Sequence, residues 1–121
     1  MPLIESSYPH VLGALNGPTA PKRSFLIFYS NVVDGRMWCP DCRVVEDAVK
    51  KAFQGEDKPQ GIIYWVGSLA QWRDKNNHAR TSWNVNSVPT ILRIEDGKET
   101  GRIVENEILD SAKLKALLSG E

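Results

Sequence analysis

Two short apolar runs with a helix-patterned segment between them constrain this chain most. Residues 24–30 are almost wholly apolar and aromatic (Phe25-Leu26-Ile27-Phe28-Tyr29), and residues 61–66 repeat the pattern in Gly61-Ile62-Ile63-Tyr64-Trp65-Val66. Runs this short and this apolar read as strands buried on both faces. Between them Val44, Val45, Ala48, Val49, Ala52 and Phe53 recur at helical spacing, predicting a helix from about residue 39 to Gly55 with one apolar face. Strand, helix, strand in that order favours parallel pairing through a right-handed crossover.

The remaining segments extend this frame. Residues 90–95 predict a strand. Asp96-Gly97 is a turn signal, and residues 101–104 return as the hairpin partner, which makes the sheet mixed. A last helix is marked by Asp110 as cap, Leu109 and Leu114 as a hydrophobic staple, and Gly120 as stop. Its inner face is expected to carry Ala112, Leu114, Leu117 and Leu118. Leu3-Ile4 predicts a short edge strand, and residues 9–15 a weak helix capped by Ser7. Residues 31–37, with Asp34-Gly35, read as a loop, and residues 67–86 as a short helix and loop. The order is β-α-β-α-β-β-α behind one weak strand, an α/β protein with helices on both faces of the sheet. A length of 121 residues fits one domain, residues 1–121.

The only two cysteines, Cys39 and Cys42, stand in Trp38-Cys39-Pro40-Asp41-Cys42, where the loop runs into the predicted helix. With Cys39 at the N-cap, Pro40 takes the first helical position, which suits its fixed φ and missing N–H. Unpaired N–H groups and the positive end of the helix dipole then face the Cys39 sulfur and favour thiolate. Cys42, one turn on, sits further in. This arrangement suits dithiol–disulfide exchange: Cys39 attacks, and Cys42 resolves the mixed disulfide. Asp41 favours the dipole, opposes a Cys39 thiolate through space, and offers an acceptor for the Cys42 proton. Trp38 offers a flat apolar surface beside the nucleophile.

Other readings of these residues are less economical. A zinc site needs about two more ligands, and only His10 and His78 remain, without paired spacing. Iron–sulfur ligation needs an outside thiol or a second chain. Trp65, Trp72 and Trp83 read as core or loop anchors, His78 as a surface residue, and Lys22-Arg23 as a solvated loop pair. Asn76, Asn77 and Arg80 form either a structural network or a substrate-facing surface, with structure favoured. Val88-Pro89-Thr90 opens the third strong strand. Proline there is either a trans turn residue or a cis proline that lays the Val88 backbone beside the sulfurs; the motif context favours cis.

Composition narrows the function classes. Fifteen basic residues balance fifteen acidic ones, so nothing in the charge points to nucleic acid or an anionic membrane. Hydrophobic residues make up 41% and charged residues 25%, as in soluble globular proteins. Met1-Pro2-Leu3-Ile4-Glu5 has neither the basic nor the apolar region of a secretory signal. No run approaches the roughly 18 apolar residues of a membrane span. A cytoplasmic location is therefore expected, where a cysteine pair is catalytic or metal-binding rather than a permanent staple.

Strand, Trp-Cys-x-x-Cys, helix, and a Val-Pro-Thr opening a later strand together resemble the thioredoxin superfamily. Within it the chain is similar to small thioredoxin-related proteins with a Trp-Cys-Pro-Asp-Cys site. The longer stretch 31–37 and the series Trp72, Asp74, Asn76, Asn77, Arg80 match their pattern. The resemblance covers about residues 25–118. It implies a thioredoxin fold, a three-layer α/β/α sandwich with a mixed central sheet. It also implies Cys39 as nucleophile, Cys42 as resolving thiol and Pro89 as cis-proline, with Trp38, Pro40, Val88 and Pro89 facing substrate. No bound cofactor or metal is implied; the redox-active group is the Cys39–Cys42 disulfide. Electrons would come from NADPH through thioredoxin reductase as partner, to a monomer acting on small disulfides such as cystine, on nitrosylated or persulfidated thiols, or on selected protein thiols. Ordinary thioredoxin differs in three places. It has Gly-Pro between its cysteines, a buried acid where Ile27 stands here, and a lysine with no counterpart among Ile62, Ile63, Tyr64 and Trp65. Asp41 is therefore expected to take over the proton transfer of Cys42. The competing functions are a binding protein controlled by its disulfide state and a glutathione-linked, glutaredoxin-like reductase.

Overall fold

A computed structural model describes residues 3–6, 8–18, 20–55 and 57–120. Strand β1 is Leu3–Glu5, helix α1 His10–Asn16, and strand β2 Arg23–Tyr29. Short strands β3 (Val32–Val33) and β4 (Arg36–Met37) precede helix α2, Pro40–Phe53. Strand β5 (Gly61–Trp65), helices α3 (Leu69–Arg73) and α4 (His78–Trp83), and strands β6 (Thr90–Glu95) and β7 (Lys98–Val104) follow. A 3-10 turn at Glu105–Leu109 leads into helix α5, Ser111–Ser119.

The five-stranded sheet has the order β1-β5-β2-β6-β7. β5 lies parallel to both β1 and β2, while β2–β6 and β6–β7 are antiparallel, giving the mixed sheet expected. Every residue from Ser24 to Ser30 is buried. Successive strand residues point to opposite faces, so β2 is covered above and below. That is why the segment carries no polar alternation. Gly61 opens β5 because nothing larger fits there: a Cβ would stand 2.8 Å from the Phe53 ring and 3.0 Å from Leu3. Asp96 and Gly97, with φ of 53° and 79°, supply the two positive dihedrals of a tight hairpin turn between β6 and β7.

Several expectations need correction. Residues 31–37 are not an open loop but a hairpin, with Val32 paired to Met37 and Val33 to Arg36 around Asp34-Gly35. Residues 67–86 hold two short helices rather than one. β7 starts at Lys98, earlier than Gly101, and the 3-10 turn at 105–109 was not foreseen. Val44 is 61% exposed and leaves the buried face of α2 to Cys42, Val45, Val49 and Phe53. Ala112 is exposed on α5, where Leu117 is the buried residue. Leu109, read as a staple, is also exposed. The Ser7 cap lies outside the described residues.

Arg23 is not a solvated loop residue either. It begins β2 and pairs with Glu95 at 3.1 Å, and its Nη1 donates to Leu118 O at 3.4 Å. Arg93 on β6 is buried, and its guanidinium donates to Leu117 O at 2.8 Å and Thr100 O at 2.6 Å, tying α5 to the sheet.

Candidate active site

The site lies where β2 ends, α2 begins and β6 opens. Asn31 and Trp38 close the base of the 32–37 hairpin, with the Trp38 N–H donating to Asn31 O at 3.2 Å. Both are then fixed to Gly67, just past β5. The Asn31 side chain accepts the Gly67 N–H at 2.9 Å, and the Trp38 indole N–H donates to Gly67 O at 2.9 Å. Asn77 holds the same turn from the other side, donating to Val66 O at 2.8 Å. The hairpin that delivers the cysteines is thus anchored on the neighbouring strand.

Cys39 is the N-cap of α2 and Pro40 its first residue, as the spacing predicts. The Cys39 side chain makes no capping bond to the helix. Its sulfur points instead to the Val88 carbonyl, 3.6 Å away, and the Val88–Pro89 bond is cis. Cys39 keeps 7% of its surface, whereas Cys42 keeps none. Both are free thiols. Burial pushes the Cys42 pKa well above the ordinary thiol range, Ser30 lowers it by hydrogen bonding, and Cys39 raises it again.

The structure brings Trp38, Cys39, Pro40, Cys42, Val88 and Pro89 to one place. Asp41 is exposed in the first turn of α2, one residue before the buried Cys42. Two residues escaped the sequence reading. Ser30, fully buried, accepts the Cys39 N–H on its hydroxyl at 3.1 Å. Tyr29 has a buried hydroxyl without a hydrogen-bond partner among the described residues. Burial raises its pKa, and the charges of Glu46 and Cys42 raise it further. A serine closing an otherwise apolar strand, nine residues before the first cysteine, was the available signal for Ser30.

Asn77 and Arg80 both make bonds that hold the 66–80 segment together. Asn77 caps α4 and donates to Val66 O and Gln71 O, while Arg80 lies over Trp72, 3.9 Å from the ring centre, and donates to Trp72 O. His78 is exposed and stacks on Tyr8. Among the described residues no group of three or more His, Cys, Asp or Glu side chains is placed to hold a metal ion. Nor is any described helix long and apolar enough to cross a membrane.

A Cys-x-x-Cys pair at a helix N-terminus, beside a proline-opened strand of a mixed sheet, defines a thiol oxidoreductase of the thioredoxin superfamily, a class that needs no bound cofactor. The comparisons agree. The chain matches the thioredoxin domain of the thioredoxin domain-containing protein 17-like family over residues 15–120, and it belongs to that family. Thioredoxin domain-containing protein 17 of Homo sapiens is 33% identical over 86 residues, 70% of this chain and 68% of that one. Thioredoxin-like protein Clot of Oryza sativa subsp. japonica is 32% identical over 89 residues, 68% of this chain and 64% of that one. Among solved structures, the complex of ferredoxin:thioredoxin reductase and thioredoxin f2 contains a chain of the same fold. It aligns at a TM-score of 0.67 and 15% identity, covering 95% of this chain and 94% of that one.

Proposed function

We propose that this protein is a dithiol reductase of small or selected disulfides, and of nitrosylated or persulfidated thiols, working as a monomer in the cytoplasm. Cys39 attacks one sulfur of the substrate disulfide, a Cys39–substrate disulfide forms, and one substrate thiolate leaves. Cys42 then attacks Cys39, closes the Cys39–Cys42 disulfide and releases the second thiol. Thioredoxin reductase returns the pair to dithiol with electrons from NADPH. One observation carries this reading: the Cys39 sulfur, the more accessible of the two, lies against the Val88 carbonyl at the head of β6, with Cys42 behind it. Substrate backbone pairing to Val88, across Trp38, Pro40 and Pro89, would present a disulfide to that sulfur.

The restriction to small substrates is supported by the 32–37 hairpin. It leads directly into the motif and is fixed in place through Asn31 and Trp38, so a large client has to fit around it. A reductase as partner is in keeping with the thioredoxin f2 complex, in which a protein of this fold meets a ferredoxin-linked reductase; the NADPH-linked enzyme is the counterpart proposed for this chain.

NADPH oxidation with thioredoxin reductase, using cystine and a protein disulfide as parallel acceptors, tests the proposal. Turnover with cystine, little with the protein disulfide, and none for Cys39→Ser is expected. Equal turnover with both acceptors contradicts the restriction. No turnover with either, but recycling by glutathione, favours the glutaredoxin-like reading.

A further inference from the structure

Among the described residues, Asp34, Asn84, Asp96 and Glu105 are the non-glycine positions with a positive φ, each at 53°. The first three carry the short Asp and Asn side chains that tolerate the left-handed region. Glu105 does not belong to that group, and glycine is the residue that fits such a backbone at no steric cost. Its place is also particular. β7 leaves the ladder one step past the Thr90–Val104 pair, and there the Glu105 N–H donates to the Pro89 carbonyl at 2.7 Å. Pro89 follows Val88, whose carbonyl faces the Cys39 sulfur at 3.6 Å. Glu105 therefore stands across from the proline that flanks the reacting sulfur. Strained backbone of this kind gathers at ligand-binding sites. The Glu105 side chain is exposed and has no hydrogen bond or ion pair among the described residues. Glu107, two residues on, does the structural work of this turn: it accepts the Val104 N–H at 2.8 Å and pairs with Lys113 at 3.1 Å. The Glu105 charge is left facing solvent beside the site.

We infer that Glu105 is a specificity-determining residue of the substrate groove, its carboxylate selecting disulfides that carry an ammonium group on the second carbon from sulfur. This rests on the dithiol reading above. Cystine and its decarboxylated analogue cystamine share that group. A substrate sulfur that meets Cys39 lies beside Val88 and Pro89, and its ammonium then enters the field of the carboxylate held across from Pro89. Exposed charge pairs are modest in strength, so Glu105 tunes which disulfide reacts rather than whether one does. Discrimination runs both ways: a cationic disulfide is drawn in, and an anionic one meets a like charge. The electron balance is that of the dithiol reaction. Cys39 and Cys42 are oxidised to their disulfide as the substrate disulfide is reduced to two thiols.

The test mixes reduced full-length protein with cystamine (cationic), 3,3′-dithiodipropionate (anionic) or bis(2-hydroxyethyl) disulfide (neutral). Oxidation of the Cys39–Cys42 pair is followed by acid quench, thiol alkylation and intact-mass spectrometry. Each rate constant for a charged disulfide is divided by that for the neutral one, which cancels any general change in Cys39 reactivity. In Glu105→Gln the cystamine ratio falls about two- to fivefold, and the dithiodipropionate ratio rises by a similar factor. Glu105→Lys moves both ratios further in the same directions. In about 1 M salt, where charges are screened beyond roughly 3 Å, the differences between the proteins largely vanish. Glu105→Gly, which fits the left-handed backbone without strain, must lose the same selectivity and serves if the glutamine variant does not fold. Unchanged ratios in these variants, or both ratios moving the same way, overturn the role of Glu105 alone. No oxidation of the unsubstituted protein by any of the three disulfides overturns the dithiol reading, and the role of Glu105 with it.

Discussion

The indole N–H of Trp38 donates to the carbonyl of Gly67 at 2.9 Å, joining the residue before the nucleophile to the strand end across the site. Trp38→Phe keeps the flat apolar ring and removes this donor. The Gly67 carbonyl still accepts the Asn31 N–H at 3.3 Å, so it is not left unpaired. A loss of about 0.5–1.5 kcal/mol in urea unfolding is expected, with a severalfold fall in cystine turnover as the Asn31–Trp38 hairpin base loosens. Full turnover in Trp38→Phe would show that this tie does not position Cys39.

Arg93 stabilises the fold rather than the chemistry. Its buried guanidinium satisfies Leu117 O and Thr100 O and lies 3.2 Å from Glu95. Arg93→Met leaves two carbonyls without their donor. It is expected to cost about 2–4 kcal/mol in denaturant unfolding, while turnover per folded molecule stays unchanged. Arg93→Lys recovers only part of the loss, because an ammonium cannot span both carbonyls as the planar fork does.

Burial of Cys42 gives the reduced protein an alkaline weakness. In the unfolded chain this thiol ionises near pH 8.5, whereas in the fold its pKa is raised, mainly by burial. Between those values the folded state holds a proton that the unfolded state has lost. The stability contributed below pH 8.5 is therefore lost progressively as pH rises, by at most about 1.4 kcal/mol per pH unit. Chemical unfolding of reduced protein at pH 7 and pH 10 should show this extra slope, and Cys42→Ala should abolish it. Equal slopes in the two proteins contradict the buried-thiol account.

Asp41→Asn tests whether Asp41 takes the Cys42 proton. Asp41 is exposed at the helix start, whereas Cys42 is fully buried. Turnover within about threefold of the unsubstituted protein, with an unmoved pH profile, is expected, since the substitution removes only a surface charge near the dipole. A tenfold fall with a displaced profile would return proton transfer to Asp41.

Much of this was legible in the sequence because it rests on local rules. Uniformly apolar strands announced burial on both faces, Pro40 after Cys39 announced the helix start, and Asp96-Gly97 announced the hairpin. The cysteine pair Cys39 and Cys42 was legible from its spacing at the helix start, while Trp38 and Pro89 entered as candidates through the resemblance to the thioredoxin superfamily. What escaped depends on partners distant in the chain. The contact of Ser30 exists only because Cys39 returns to it from nine positions on, and that of Arg93 because α5 places the Leu117 carbonyl beside it. The 32–37 hairpin was missed because two-residue strands have no readable alternation. Val44 was misread because helical spacing marks a face but not where its neighbour ends.

The central claim, that Cys39 attacks and Cys42 resolves, is tested most directly by trapping the covalent intermediate. Cys42→Ser, reduced and then exposed to cystine, should accumulate a cysteinyl disulfide at Cys39, located by intact-mass and peptide mass spectrometry. Cys39→Ser treated in the same way should remain unmodified, since Cys42 is fully buried. An adduct on Cys42 in Cys39→Ser, or none on Cys39 in Cys42→Ser, would contradict the account.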